Sequence, residues 1–354
     1  MTSRHLIDLE ILTLTEIEKI LNFAAVIMDK PKYYTDSCHG QLMATLFYEP
    51  STRTAMSFQA AALKLGAKLI GFDDPSSSSV AKGESLKDTI RVVSNYADII
   101  VMRHPMEGAA KAAAMFSRVP VINAGDGGHL HPTQTMTDLF TLKNCNGRLD
   151  HLTVGLCGDL KNGRTVHSLI STLSRYEGNR FVLISTPALT VPDYLKDIMR
   201  KNNCEFTEIN NLADAMSEID VLYMTRIQKE RFESEEEYIK QKGIFVLDSE
   251  KLKKAKYGLR VLHPLPRVDE IDYEVDDDER AVYFAQTEYG MYSRMALILH
   301  MLEVSRKMID PRPESNSDLI CENPRCITSC EKYLPKLFRK TDNAYVCEYC
   351  DHEK

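Results

Sequence analysis

The sequence predicts an α/β protein: two doubly wound parallel-sheet domains, then a small β-rich C-terminal module that binds metal. Three observations carry this. Short continuous apolar runs alternate with helical patterns along the first three hundred residues. Such runs, lacking polar–apolar alternation, mark strands buried on both faces, as in parallel sheets. The rhythm occurs twice, on either side of a helical segment at Thr133–Lys143, and the cysteines crowd at the C-terminus.

In the first half, strand-like runs fall at Leu42–Phe47, Lys68–Phe72, Asp98–Met102 and Val119–Asn123. Helical patterns alternate with them in SFQAAALKLG, ESLKDTIRVVSNYA and GAAKAAAMFSR. The second half has runs at Leu152–Cys157, Phe181–Ser185, Glu205–Ile209, Val221–Met224 and Leu259–Leu262. A long helical pattern, Tyr289–Met308, follows. The polar, proline-bearing DPRPESNSDL then reads as a linker. Expected boundaries are 1–134, with helix 289–308 returning to that domain, then 135–288, a linker over 309–320, and the module over 321–354. The opening MTSRHLIDLEILTLTEIEKIL reads as the start of an amphipathic helix, because acidic residues break its apolar positions as no signal peptide would allow.

Bulk properties exclude several classes. With 354 residues, 44% hydrophobic and 27% charged, the chain can bury a full core unaided. A formal charge of −7 argues against nucleic-acid binding, and an anionic substrate would need locally concentrated cations. No stretch approaches the roughly 20 apolar residues of a membrane helix. Cys38, Cys145, Cys157 and Cys204 are scattered, as isolated thiols in a reducing compartment would be. A cytoplasmic protein is expected.

Several motifs sit where strands run into helices. In FYEPSTRTAMSF, Ser51, Thr52, Arg53 and Thr54 open a helix whose free N–H groups would receive a phosphate. An ordinary N-cap beside a surface Arg is the alternative, although capping needs fewer hydroxyls. SSSSVAKGES, with Ser78 and Lys82, is either a solvated linker or a lid that brings Lys82 to an anion. Arg103 in MRHP lies just past a strand, where open α/β sheets bind ligands. In HPTQTMTD, His131 either donates to a carbonyl oxygen or caps a helix. GDLKNGRTVHS puts Arg164 at another helix start, and MTRIQKER sets Arg226 and Gln228 past a strand. In VLHPLPR the prolines stiffen the chain, leaving the Pro264 and Leu265 carbonyls available to an ammonium group. One anion site per domain is the pattern of a two-substrate enzyme.

These motifs, in this order and spacing, resemble the catalytic chain of the aspartate carbamoyltransferase family over residues 1–308. The resemblance implies that the first domain binds carbamoyl phosphate and the second aspartate, in de novo pyrimidine biosynthesis. Ser51, Thr52, Arg53 and Thr54 would hold the phosphate. Thr54, Arg103 and His131 would polarise the carbonyl oxygen. Gln134, with the Pro264 and Leu265 carbonyls, would hold the carbamoyl nitrogen, and Pro264 and Leu265 would also contact aspartate. Arg164 would take the aspartate α-carboxylate, and Arg226 and Gln228 the β-carboxylate. Ser78 and Lys82 would enter from a neighbouring subunit, Lys82 touching both substrates. That implies a homotrimer with shared active sites, open to higher assembly, and no cofactor in catalysis. The cationic Arg226 suits an acidic acceptor and would repel ornithine.

In the tail, CENPRC and CEYC supply two cysteine pairs, Cys321 with Cys326 and Cys347 with Cys350, spaced as ligands of a structural zinc ion. Disulfides are the alternative. Cys330 fits no ligand spacing, although it could replace Cys326. The arrangement resembles the zinc domain of the same enzyme's regulatory chain. Only a linker precedes it here, so no CTP or ATP site is expected. The module is expected to pack on a catalytic domain and support subunit contacts. Rival readings are a transcarbamoylase for another acidic acceptor, an inactive scaffold, and a zinc-ribbon binding module.

Overall fold

In the computed structural model, residues 5–228, 232, 234–305, 313–341 and 344–354 are described. Strand β1 (Leu42–Phe47) is buried from its second residue on and lies centrally in a four-stranded parallel sheet. Its neighbours are β2 (Lys68–Phe72) and β3 (Ile99–His104), with β4 (Val121–Asp126) beyond β3, giving the order β2-β1-β3-β4. Helices α2 (Thr52–Lys64), α3 (Leu86–Val93) and α4 (Ala109–Phe116) make the crossovers, after α1 (Leu14–Asp29) at the start of the chain.

Helix α5 (Pro132–Asn146) leads to a second parallel sheet in the order β7-β6-β5-β8-β9. Its strands are β5 (Thr153–Cys157), β6 (Arg180–Ile184), β7 (Glu205–Ile209), β8 (Val221–Met224) and β9 (Arg260–Leu262). Helices α6 (Arg164–Leu173) and α7 (Asp193–Lys201) and the shorter α8 (Leu212–Ala215), α9 (Glu235–Gln241) and α10 (Ser249–Leu252) intervene. The long α11 (Ala285–Ser305) follows. The fold comprises two compact units, Met1–Thr133 with Met291–Lys354, and Gln134–Gly290.

Both sheets reverse direction of winding at one place. In the first, the chain goes outward to β2 and then returns past β1 to β3. In the second it goes outward to β6 and β7, then returns past β5 to β8. Ligands of open α/β sheets bind beyond the carboxyl ends of the strands at such switch points.

The amino-terminal helix begins later than its amphipathic pattern suggests. Leu6 is spent on the sheet: its N–H donates to the Val121 carbonyl and its carbonyl accepts from Asn123, both at 2.9 Å. Thr13 and Glu16 then form a capping box that starts α1 at Leu14. The serine-rich segment is also more structured than a solvated linker. It forms two short 3₁₀ turns, Pro75–Ser77 and Ser79–Lys82, capped by the side chains of Asp74 and Ser78. Residues 306–312, spanning the expected end of the last helix and part of the linker, lie outside the described residues.

The tail carries β10 (Phe338–Lys340) antiparallel to β11 (Tyr345–Cys347). Its buried Ile327, Leu337, Phe338 and Tyr349 join one apolar core with Ala109, Ala112 and Ala113 of α4 and Leu86 and Ile90 of α3. Packing on a catalytic domain was expected, and the first unit receives it. The Glu107 N–H donates to the Arg325 carbonyl and its carbonyl accepts from Ile327, each at 2.8 Å. Asn323 donates to the buried Glu107 carboxylate at 2.6 Å, and Lys111 to Glu348. Gly108, at φ +82°, makes this approach possible, since a Cβ there would sit 2.6 Å from the Cβ and carbonyl oxygen of Tyr349.

Candidate active site and cysteine cluster

In the first unit, β1 delivers Ser51–Thr54 to the switch point. Ser51 stands at the N-cap of α2, and among the described residues its hydroxyl makes no capping bond to the helix. The first turn has no acidic residue, so the positive end of the helix is not neutralised from within. Thr54 is buried, Ser51 half-buried, and Thr52 and Arg53 are exposed. This start suits an external anion more than a self-contained cap.

Arg103 was expected just past the strand, but β3 runs on to His104, because Arg103 pairs with Phe47 of β1; its Nε donates to the Glu49 carboxylate at 2.8 Å. Sequence reasoning passed over Glu49, although an acid inside FYEPSTRT was a legible signal. His131 is buried just before α5, its Nδ1 3.5 Å from the Thr133 hydroxyl. Ser78 is tied to its own turn through the Pro75 carbonyl, and Lys82 is exposed ahead of Gly83 at φ +88°.

In the second unit the matching crevice is stitched by Thr225. Its N–H donates to the Cys157 carbonyl at 2.8 Å, and its hydroxyl accepts from Asp159 at 3.1 Å. Gly158, at φ +120°, permits the approach; a Cβ there would lie 2.2 Å from the Thr225 carbonyl oxygen. Asp159 accepts from the Asn162 backbone and shapes the turn that presents Arg164 at the start of α6. Arg226 and Gln228 follow β8, both half-buried, and Gln228 donates to the Asn162 carbonyl at 3.3 Å. The two loops from β5 and β8 are thus joined. Residues 229–231 of this motif lie outside the described residues.

Leu265 adopts φ +52° between its prolines. That is costly for a branched side chain, on the order of 1–2 kcal/mol. It is held by a 2.7 Å bond from its N–H to His263 Nδ1, while His263 Nε2 lies 2.7 Å from Glu270. Burial pushes the Glu270 carboxyl up, but His263 and nearby backbone N–H groups hold it below its ordinary value. Gln134, on α5, donates to Asp138 at 2.8 Å. Asp138 was also missed; its signal was a lone acid in a largely buried helix, one helical turn from Gln134.

In the tail, the sulfurs of Cys321, Cys326, Cys347 and Cys350 all lie within 4.8 Å of one another. Cys321 and Cys350 are 3.6 Å apart, Cys326 and Cys347 3.9 Å. Tetrahedral coordination with metal–sulfur bonds of about 2.3 Å needs sulfur–sulfur edges of about 3.8 Å. The four therefore fit a metal ion, and none forms a disulfide. Cys330 stands outside the cluster, exposed, its thiol toward the Ile327 carbonyl. His129 bridges Asp126 and Asp351 of the tail, and although burial opposes its charge the two carboxylates hold its pKa at about 10. Among the described residues no helix is long and apolar enough to cross a membrane.

Two parallel sheets, each with cationic side chains at its switch point, define an enzyme class that holds two anionic reactants. Residues 4–144 match the carbamoyl-P binding domain of the aspartate/ornithine carbamoyltransferases, and residues 150–301 their Asp/Orn binding domain. The aspartate carbamoyltransferase catalytic subunit of Clostridium novyi is 56% identical over 304 residues, 86% of this chain and 99% of that one. The catalytic subunit of M. jannaschii aspartate transcarbamoylase superposes with a TM-score of 0.81 at 45% identity, covering 86% of this chain and all of that one. Aspartate transcarbamoylase from Trypanosoma cruzi, in complex with carbamoyl phosphate and aspartate, gives 0.79 at 36% identity, over 83% and 95% of the two chains. This chain belongs to the aspartate carbamoyltransferase catalytic subunit family. The family matches end at residue 301, so the cysteine cluster lies beyond them.

Proposed function

We propose that this protein transfers the carbamoyl group of carbamoyl phosphate to L-aspartate, forming N-carbamoyl-L-aspartate and phosphate in de novo pyrimidine biosynthesis. The observation that supports the reading is that cationic residues stand at the carboxyl ends of strands at both switch points: Arg53 beyond β1 and Arg103 at the end of β3, Arg164 and Arg226 beyond β5 and β8. The T. cruzi relative, solved with both compounds, supports the choice of substrates.

In this reading, the aspartate amine attacks the carbamoyl carbon. The new C–N bond forms as the C–O bond to phosphate breaks, and the amine proton is lost. Ser51, Thr52, Arg53, Thr54 and Lys82 bind the phosphate and stabilise it as it leaves. Thr54, Arg103 and His131 donate to the carbonyl oxygen as negative charge develops, where preorganised donors contribute most. Gln134 and the Pro264 and Leu265 carbonyls accept from the carbamoyl nitrogen. Arg164 binds the α-carboxylate, and Arg226 and Gln228 the β-carboxylate. Lys82 and Ser78 come from a neighbouring subunit, in a homotrimer within the cytoplasm. The Cys321, Cys326, Cys347 and Cys350 set holds a structural zinc ion, in a module like that of the regulatory chain.

The test is product formation by purified protein with L-aspartate and L-ornithine in parallel. Carbamoyl-aspartate alone is expected. No product with either acceptor, from folded and zinc-loaded protein, would favour a scaffold.

A further inference from the structure

The second unit contains a buried polar hub centred on Asp138, a residue that the reaction scheme does not use. Asp138 is fully buried and accepts hydrogen bonds from Gln134, Gln286 and Tyr223. Gln134 Nε2 donates to its Oδ1 at 2.8 Å, Gln286 Nε2 to the same oxygen at 2.6 Å, and the Tyr223 hydroxyl to Oδ2 at 3.0 Å. Gln286 is itself buried, and its Oε1 accepts from the His263 N–H at 3.1 Å. His263 Nδ1 in turn accepts from the Leu265 N–H.

The geometry points to Asp138 as a positioning residue that sets the orientation of every acceptor offered to the carbamoyl NH₂ group. This rests on the proposed function. Accepting several hydrogen bonds favours the ionised carboxylate, which has acceptors only. Gln134 must therefore turn its NH₂ toward Asp138, which directs its Oε1 the other way. Flipped, Gln134 would meet the substrate NH₂ with its own NH₂, donor against donor. Gln286 is oriented by the same rule, and its oxygen secures His263, whose ring fixes the Leu265 backbone. One carboxylate thus aligns the Gln134 oxygen and the Pro264–Leu265 carbonyls through two separate arms.

The test compares Asp138→Ala, Asp138→Asn, Gln134→Ala and the double variant Asp138→Ala/Gln134→Ala, with kcat and inorganic phosphate binding measured for each. Asp138→Ala is expected to lower kcat about 100-fold, the scale of a misplaced reacting group. Asp138→Asn keeps one oxygen for the two amides and turns its NH₂ to Tyr223, whose hydroxyl also accepts, so it should stay within about tenfold of wild type. Phosphate affinity should be unchanged in both, because Ser51–Thr54 belong to the other unit. On top of Gln134→Ala, Asp138→Ala should cost less than about tenfold more, because one arm is already lost.

Fully multiplicative losses, equal losses for Asn and Ala, or a lowered Tm with unchanged kcat per folded molecule would overturn this role alone. Should Asp138→Ala fail to fold, Gln286→Met cuts only the Leu265 arm. It should lower kcat about tenfold with phosphate binding intact, and an unchanged kcat would overturn the role. A wild-type protein that forms no carbamoyl-aspartate would overturn the proposed function and this role together.

Discussion

The two switch points meet the same need with different chemistry. Beyond β1, the chain enters α2 with hydroxyls, backbone N–H groups and one Arg in a single turn, a surface suited to a tetrahedral anion. Beyond β5, Gly158, Asp159 and Asn162 shape the turn, and in the proposed reading recognition falls to separate side chains, Arg164 on this loop and Arg226 and Gln228 on the next. A planar carboxylate needs a fork approaching from the side more than a cradle. The difference is that of a site built from the main chain and a site built from side chains. Substitutions should therefore act differently in the two.

The largest effect is expected at Arg103. Arg103→Ala should lower kcat about 100- to 1000-fold, as loss of an oxyanion donor does. If its main role were the ion pair with Glu49, stability would fall and kcat would not. Steady-state kinetics alongside thermal melts separate these outcomes. Arg226→Ala should weaken aspartate by about 10- to 150-fold, the worth of a charged hydrogen bond of roughly 1.5–3 kcal/mol. The loss should appear in KM for aspartate, with phosphate binding unchanged. A kcat effect as large as that of Arg103 would erase the contrast between the two sites.

A third region sharpens the comparison, because the tail shares an apolar core with the first unit. Chelation, or Cys347→Ser, should lower its Tm by about 5–10 °C, as a ligand that binds only the folded state does when removed. Hydrogen exchange should rise on α3 and α4 and not on the second sheet. Gly108→Ala should have a smaller effect, about 1–2 kcal/mol, from left-handed backbone strain and collision with Tyr349. The smallest effect belongs to the second unit. Glu270 titrates below its ordinary value of 4.5 when folded, so its stabilisation is present above that pH and is lost as pH falls below it. Glu270→Gln should therefore cost about 1 kcal/mol at pH 7 and less at pH 3, as read from denaturant melts at both. An equal cost at both values would show that the His263–Glu270 contact acts by shape and not by charge.

Much of this was legible in the chain. Strands β1, β2, β7 and β8 match their predicted runs residue for residue; for β1 and β8 burial on both faces leaves a continuous apolar pattern, whereas β2 and β7 lie at the sheet edges, partly exposed. The four clustered cysteines were readable from their spacing, since short knuckles must bring paired ligands together. The first helix was less legible. Its amphipathic pattern runs back through Leu6, but the capping box and the pairing of Leu6 with β4 moved the start to Leu14.

By itself, then, the sequence determined element type, element order and the cast of cationic residues at strand ends, all governed by interactions between near neighbours. Tertiary structure alone decided the rest. Strand order, which puts Arg103 beside the β1 turn and Arg226 beside the β5 turn, depends on pairing between segments far apart in the chain. The Arg103–Glu49 pair, the docking of Tyr349 over Gly108 and the convergence of Tyr223 and Gln286 on Asp138 are likewise non-local. A buried carboxylate persists only where distant donors meet it, and no local pattern announces which donors those will be.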